Sequence, residues 1–156
     1  MKFNHNILFI SSQYLDGDNP SQQVLEELQT ELAERGFKIH LTHQISDGLK
    51  IIEKSPQYSM IGFYWEPDNP TFAEELQHFI SIFRKRNAAT PLIIFSEQNI
   101  TDRIPLDVLK EVSEYVYLFS ESAAFTANRL YSLVHRYADK LLPPYFKTLK
   151  NFTEDG

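Results

Sequence analysis

The residues that could carry chemistry in this chain stand directly after its apolar runs. They form short polar pairs and triplets: Ser11-Ser12-Gln13, Trp65-Glu66, Ser96-Glu97 and Ser120-Glu121. If the runs are strands of a parallel sheet, these positions meet at its carboxyl edge, where open α/β sheets bind their ligands. The types of these side chains therefore decide which chemistry the chain can perform.

Phosphoryl transfer at such an edge needs carboxylates after the first run, an aspartate ending the third and a lysine after the fifth. Here Ser11-Ser12 and Tyr64-Trp65 stand at the acidic positions, and no lysine follows Phe119 before Lys140. A phosphate-binding loop would need several glycines after the first run, where only Gly17 is present. The pattern disfavours phosphorelay activity and nucleotide or flavin binding.

Other reactive groups are equally sparse. The absence of cysteine excludes a disulfide framework, a zinc-thiolate site and a cysteine nucleophile. His40 and His43 are three residues apart at the end of an extended run, a spacing that does not bring both imidazoles to one metal, so we interpret them as surface histidines. No serine, histidine and acid form a distinctive set. We predict no catalytic, metal-binding or cofactor-binding residue in this segment.

Five extended runs must position these residues. Those around Ile7–Ile10, Met60–Trp65 and Leu92–Phe95 are continuously apolar, which is typical of parallel strands buried on both faces. Phe37–Thr42 instead alternates between apolar and polar residues, which indicates an edge strand. Tyr115–Phe119 is predicted as the fifth strand.

Segments with helical spacing separate the runs. A helix beginning at Asn19-Pro20 and ending before Gly36 is followed by others over Asp47–Lys54 and from Asn69-Pro70 onward. Pro105 opens a short helix with Leu106, Leu109 and Val112, and the last helix spans roughly Ser122–Leu142. Alternating strands and helices with short loops predict a five-stranded parallel doubly wound α/β sheet of the flavodoxin or response-regulator type, with strand order 2-1-3-4-5.

The composition of the chain limits the classes of partner that it can bind. The formal charge of −6, with both signs interspersed, offers no continuous basic surface for nucleic acid. The first apolar stretch is too short for a membrane span or a signal-peptide core. With no cysteine present, we expect a cytoplasmic protein that binds neither nucleic acid nor membrane.

The carboxyl-terminal third resembles a known family. The stretch 114–130, EYVYLFSESAAFTANRL, is similar to the end of the amino-terminal domain in bacterial ornithine/lysine/arginine decarboxylases. The stretch 137–150, YADKLLPPYFKTLK, is similar to the linker that follows that domain. We therefore expect a receiver-like wing domain over residues 1–142, and over 143–156 the start of a linker to a catalytic domain that this chain lacks.

The resemblance implies a function as well as a fold. Family members are fold-type I decarboxylases whose pyridoxal phosphate is held by a lysine in the later catalytic domain, so this segment is non-catalytic while its parent is a carboxy-lyase. The wing helps dimers assemble into larger homo-oligomers and can take part in regulation. We expect Tyr145, Phe146, Leu149 and Phe152 to contact the catalytic domain, since the wing closes its core by Leu142.

The resemblance also suggests an effector site. Some lysine-specific members bind guanosine tetraphosphate with an arginine on the helix after strand four. That arginine corresponds to Lys110 here, with Ser96 at the end of the strand, and lysine offers a point charge where arginine offers a bidentate fork. A solvated helix lysine beside Glu111 is the plainer interpretation. The alternative for the whole chain is a free-standing pseudo-receiver that signals through protein contacts without phosphorelay chemistry.

Overall fold

The computed structural model describes residues 5–11, 20–54, 57–98 and 104–141. Strands and helices alternate along these residues: β1 (His5–Ile10), α1 (Pro20–Glu34), β2 (Phe37–Thr42), α2 (Ile45–Lys54), β3 (Met60–Tyr64), α3 (Phe72–Arg86), β4 (Leu92–Ser96), α4 (Leu106–Leu109), β5 (Glu114–Tyr117) and α5 (Ala123–Leu141). The strands form one parallel sheet in the order β2-β1-β3-β4-β5. The predicted fold class and strand order are confirmed.

The burial of each strand follows its place in the sheet. Every residue of β3 and β4 is buried because both strands have a neighbour on each side and helices on each face. The second strand pairs only with β1, and Lys38 and His40 on it are exposed. The alternating pattern of Phe37–Thr42 therefore identified an edge strand correctly.

Two apolar cores lie on opposite faces of the sheet. One packs α1 and α5 against the sheet through residues such as Leu28, Leu32 and Leu130. The other packs α2, α3 and α4 through residues such as Leu76 and Phe83. Helices on both faces are what right-handed crossovers between parallel strands produce.

Some helices and strands begin or end at residues other than those that the pattern of apolar residues predicts. Asn69 does not begin α3, because its side-chain oxygen accepts hydrogen bonds from the backbone N–H and the hydroxyl of Thr71, and the helix begins at Phe72. The fifth strand ends at Tyr117, and Phe119 lies 47% exposed in the following turn. The helix that Pro105 opens ends at Leu109, before Val112, and this single turn buries Val108 while Leu106 is 68% exposed.

The predicted domain boundary at residue 142 lies outside the described residues, which end with α5 at Leu141. Tyr145, Phe146, Leu149 and Phe152 lie outside the described residues. In the part of the chain that is described, no helix combines the length and apolarity needed to cross a bilayer.

Candidate functional site

The end of β1 is tied to its neighbour by backbone bonds. Ser11 is buried, its N–H donates to the carbonyl of Thr42 at 2.9 Å, and its carbonyl accepts from Nδ1 of His43 at 3.2 Å. His43 thus links the carboxyl ends of β1 and β2 by a hydrogen bond. Ser12 and Gln13, the other two predicted residues here, lie outside the described residues.

The end of β3 is filled by a tryptophan. Trp65 is 4% exposed, its backbone N–H donates to the carbonyl of Phe95 at 2.8 Å, and its indole packs edge-on against Phe72 with centroids 5.3 Å apart. An indole offers no oxygen to accept a phosphoryl group. Its bulk also replaces the carboxylate that receiver chemistry requires at this position.

The end of β4 uses its serine to shape the backbone. Ser96 is buried, and its hydroxyl oxygen accepts a hydrogen bond from the N–H of Gln98 at 3.0 Å. The carbonyl of the same residue accepts from the N–H of Leu118, which continues the ladder beyond β5. In the described residues the Ser96 hydroxyl therefore stabilises a turn.

Two open cavities lie along this carboxyl edge, and both carry carboxylates. The charged residues that line the first, of about 380 Å³, are Glu66, Asp68 and Glu97. The second, of about 570 Å³, is lined by Glu66 and Glu75 together with His43 and His78. The carboxylates repel phosphate groups. Among the residues the structure describes, no three histidine or carboxylate side chains gather closely enough to hold a metal ion. The described edge thus lacks the parts of a phosphorylation site.

The start of α5 is fastened to β5 by an ion-pair network. Glu121 accepts from Arg129 at 2.7 Å and from the hydroxyl of Thr126 at 3.2 Å. Arg129 also lies 3.9 Å from the carboxylate of Glu114 on β5. The polar pair that follows the fifth strand is therefore used inside the fold, where it positions α5.

The two candidate effector residues lie on different elements. Ser96 ends β4 at the carboxyl edge, and Lys110 is exposed directly after the single turn of α4. The adjacent Glu111 pairs with Arg84 at the end of α3, and the N–H of Ser113 donates to the carbonyl of Leu92 at the start of β4. An effector site that includes Ser96 and Lys110 stays a prediction.

Two side-chain contacts at the amino half of the sheet were not predicted. Nδ1 of His40 lies 3.0 Å from the hydroxyl of Tyr58, and the rings of His5 and His135 are 5.5 Å apart. Burial and then the nearby His135 lower the pKa of His5, and burial raises the pKa of Tyr58. Residues 18 and 130 positions apart in the chain meet through sheet pairing and helix docking, which no local spacing reveals.

Comparisons with known proteins agree with this geometry. Residues 20–137 match the family model described as the Orn/Lys/Arg decarboxylase N-terminal domain. The chain belongs to this family. It is 21% identical over 149 residues to the biodegradative arginine decarboxylase of Escherichia coli K12 and 26% identical over 136 residues to the inducible lysine decarboxylase of the same strain. The alignments cover 95% and 86% of this chain but only about a fifth of each relative.

Solved structures support the same fold. Lysine decarboxylase A from Pseudomonas aeruginosa superposes with a TM-score of 0.78 and 22% identity over the whole of this chain and 21% of that one. A CheY-like receiver domain protein from Methanospirillum hungatei superposes with a TM-score of 0.65 and 12% identity, over 87% of this chain and 98% of that one. The decarboxylase N-terminal domain thus has a receiver fold.

Proposed function

We propose that this chain is the non-catalytic N-terminal domain of a pyridoxal-phosphate-dependent decarboxylase of lysine, arginine or ornithine, and that it helps the enzyme's subunits assemble in the cytoplasm. The family match over residues 20–137 carries the proposal. The carboxyl edge supports it, because Trp65 and Ser96 serve packing and turn formation where a receiver would hold reactive groups.

Exposed aromatic surface supports the assembly role. Phe119 follows β5 and Phe125 lies in the first turn of α5, with 47% and 59% of their surfaces exposed. Leu106 on α4, the helix between β4 and β5, is 68% exposed. Phe119 and Phe125 stand on either side of the connection between β5 and α5, and exposed apolar side chains that form a patch are typical of a surface that another protein covers.

The assembly role can be tested in the full-length decarboxylase. Phe125→Ser should reduce the share of assemblies larger than the dimer, measured by native mass spectrometry and light scattering, while decarboxylation per active site persists. Ser132→Asp, at another exposed position of α5, is the control and should leave assembly unchanged. An unchanged distribution for Phe125→Ser would remove this surface from the assembly proposal.

The cofactor belongs, under this proposal, to the catalytic domain. The 156-residue chain should then neither form a Schiff base with pyridoxal phosphate nor decarboxylate a basic amino acid. Mixing it with the cofactor should produce no lysine-dependent absorbance band beyond that of free aldehyde and buffer. A stoichiometric band, retained after dialysis, would contradict the assignment.

The tail residues Tyr145, Phe146, Leu149 and Phe152 are proposed to contact the catalytic domain. Tyr145→Ser combined with Phe146→Ser should then lower the melting temperature of the full-length enzyme but leave that of the 156-residue chain unchanged. Equal losses in the two proteins would show that the tail packs on the wing itself.

A guanosine tetraphosphate effector remains a prediction for Lys110 and Ser96. Lys110→Ala in the full-length enzyme should weaken binding of this nucleotide if the lysine contacts a phosphate, and Lys85→Ala should not. Isothermal titration calorimetry measures the affinity of each variant for the nucleotide. Equal affinities for Lys110→Ala and Lys85→Ala would show that Lys110 does not contact the nucleotide.

A free-standing pseudo-receiver is the second candidate function. The match to nearly the whole length of a CheY-like domain favours it, since such domains exist alone. The nucleotide sequence after the codon for Gly156 distinguishes the two candidates. The resemblance to the decarboxylase family implies that a Thr-Pro-Gly-His segment opens the catalytic domain, so that segment at the start of a long reading frame supports the decarboxylase, and a stop codon supports the pseudo-receiver.

A further inference from the structure

An open groove of about 410 Å³ lies at the amino half of the sheet, away from the carboxyl edge. It runs beside the edge strand β2 and the segment that leads into β3. The described residues that line it are Asn6, Lys38, Ile39, His40, Leu41, Gln57 and Tyr58. Its position separates it from every residue assigned above to assembly or to the effector.

The charge of this groove is opposite to that of the two carboxyl-edge cavities. Lys38 contributes a cationic group and no carboxylate is among the described lining residues, whereas two or three carboxylates line each carboxyl-edge cavity, the second of them together with two histidines. In a chain of net charge −6 this is a local reversal of sign. A small anion would meet attraction here and repulsion at the opposite edge.

The backbone aims three of these groups in one direction. Lys38 and His40 are two residues apart on β2, so their side chains leave the same face of the sheet. Asn6 is the register partner of Lys38 on β1 and shares that face. The N–H of Ser59 donates to the carbonyl of Asn6 at 2.8 Å, which holds the segment carrying Gln57 and Tyr58 alongside.

Tyr58 orients the imidazole of His40. Its hydroxyl lies 3.0 Å from Nδ1, and because burial raises its pKa, the phenol keeps its proton at neutral pH. If the phenol donates to Nδ1, Nε2 of the neutral ring carries the hydrogen. If Nδ1 carries the hydrogen instead and donates to the phenol, Nε2 is an acceptor. The first tautomer makes Nε2 a hydrogen-bond donor on the strand face that also carries Lys38.

We propose that this groove binds a small oxyanion, a phosphate group or a carboxylate, with Lys38 supplying the charge and His40 a directed N–H donor. The amides of Asn6 and Gln57 supply further donors along the same wall. This site is independent of the assembly role. Because the groove is open to water and Lys38 is a single point charge, the affinity for one anionic group falls in the millimolar range.

The test uses the 156-residue chain labelled with ¹⁵N. Inorganic phosphate and acetate are titrated separately at constant ionic strength balanced with chloride, because screening changes with salt. We expect saturable amide shifts at residues 38–41 and 57–59 with one or both anions. Tighter binding of phosphate assigns a phosphate site, and tighter binding of acetate assigns a carboxylate site.

Matched variants tie the shifts to the groove. Lys38→Gln should weaken binding on the order of fivefold, the most that an exposed ion pair usually contributes, while Lys85→Gln removes the same charge elsewhere and should not. Tyr58→Phe should weaken binding less and broaden the His40 signals. Absence of saturable shifts with both anions, or equal affinity in Lys38→Gln, would overturn the proposal.

Discussion

Replacing Gly62 by alanine should destabilise the protein even though alanine suits a strand better. Gly62 lies in the middle of β3, buried between the two central neighbours of the sheet. A methyl group there would lie 2.8 Å from Cδ2 of Phe9 and 2.8 Å from Cε2 of Phe95. These two rings already pack edge to face, with centroids 5.2 Å apart, so neither can retreat without disturbing the other.

The size of the effect is a difference between two terms. Overpacking a filled core costs about 1–3 kcal/mol, and removing glycine from a strand interior regains about 0.5–1 kcal/mol. A small apolar void of about 20 Å³, lined by both phenylalanines, lets the rings yield slightly. We therefore expect Gly62→Ala to lower the free energy of unfolding by about 1–2 kcal/mol, or the melting temperature by roughly 3–6 °C.

Urea unfolding of the 156-residue chain, followed by the fluorescence of Trp65, measures this loss. Gly48→Ala is the control: its methyl would meet only the flexible tip of Ile10 at 2.6 Å and the ring of Phe79 at 3.3 Å, and its helix gains from alanine. Gly48→Ala should lower the free energy of unfolding by less than Gly62→Ala does. In a Phe95→Leu background Gly62→Ala should also lower it by less than in the original chain. The steric argument would be refuted if Gly62→Ala left the original chain as stable as before or stabilised it.

Three further perturbations test other parts of the fold. Arg84→Met removes donors to the carbonyls of Thr90 and Glu111 and to the Glu111 carboxylate, and should cost about 1–3 kcal/mol in urea unfolding, against almost nothing for Lys85→Met. Gly36→Ala should cost about 1 kcal/mol because Gly36 has a φ of 88°, and Gly36→Asn should cost less. The pKa of His5 is lowered in the fold, so as the pH falls the unfolded chain binds a proton on His5 before the folded chain does. The free energy of unfolding should therefore be undiminished above pH 6.5, the ordinary pKa of histidine, and should decrease as the pH falls from 6.5 toward the pKa of His5 in the folded chain. His135→Gln should raise the pKa of His5, measured by NMR, and so reduce the loss of stability at low pH. An unchanged His5 titration curve would show that His135 does not lower the pKa of His5.

Much of the fold was predictable because each central strand is a continuous apolar run and β2 is not. A continuous apolar run indicates a strand covered on both faces, and the alternation in β2 indicates an exposed face. The other edge strand, β5, shows no such alternation. Boundaries were less predictable. The periodic pattern around Asn69 does not reveal that its side chain caps Thr71, and the run ending at Phe119 does not reveal a turn after Tyr117.

The candidate site was predictable in its chemistry and not in its geometry. The missing carboxylates and glycines after the strands could be counted from the sequence. That Trp65 packs on Phe72 depends on how α3 docks on the sheet.

The sequence by itself determined the strand order, the edge position of β2 and, through the resemblance of residues 114–130 and 137–150, the family that the comparison over residues 20–137 confirmed. Only the tertiary structure decided which distant side chains meet. His40 finds Tyr58, and His5 finds His135, because sheet register and helix docking join segments far apart in the chain. Local periodicity encodes which face of an element is buried, but a contact between two elements depends on both at once.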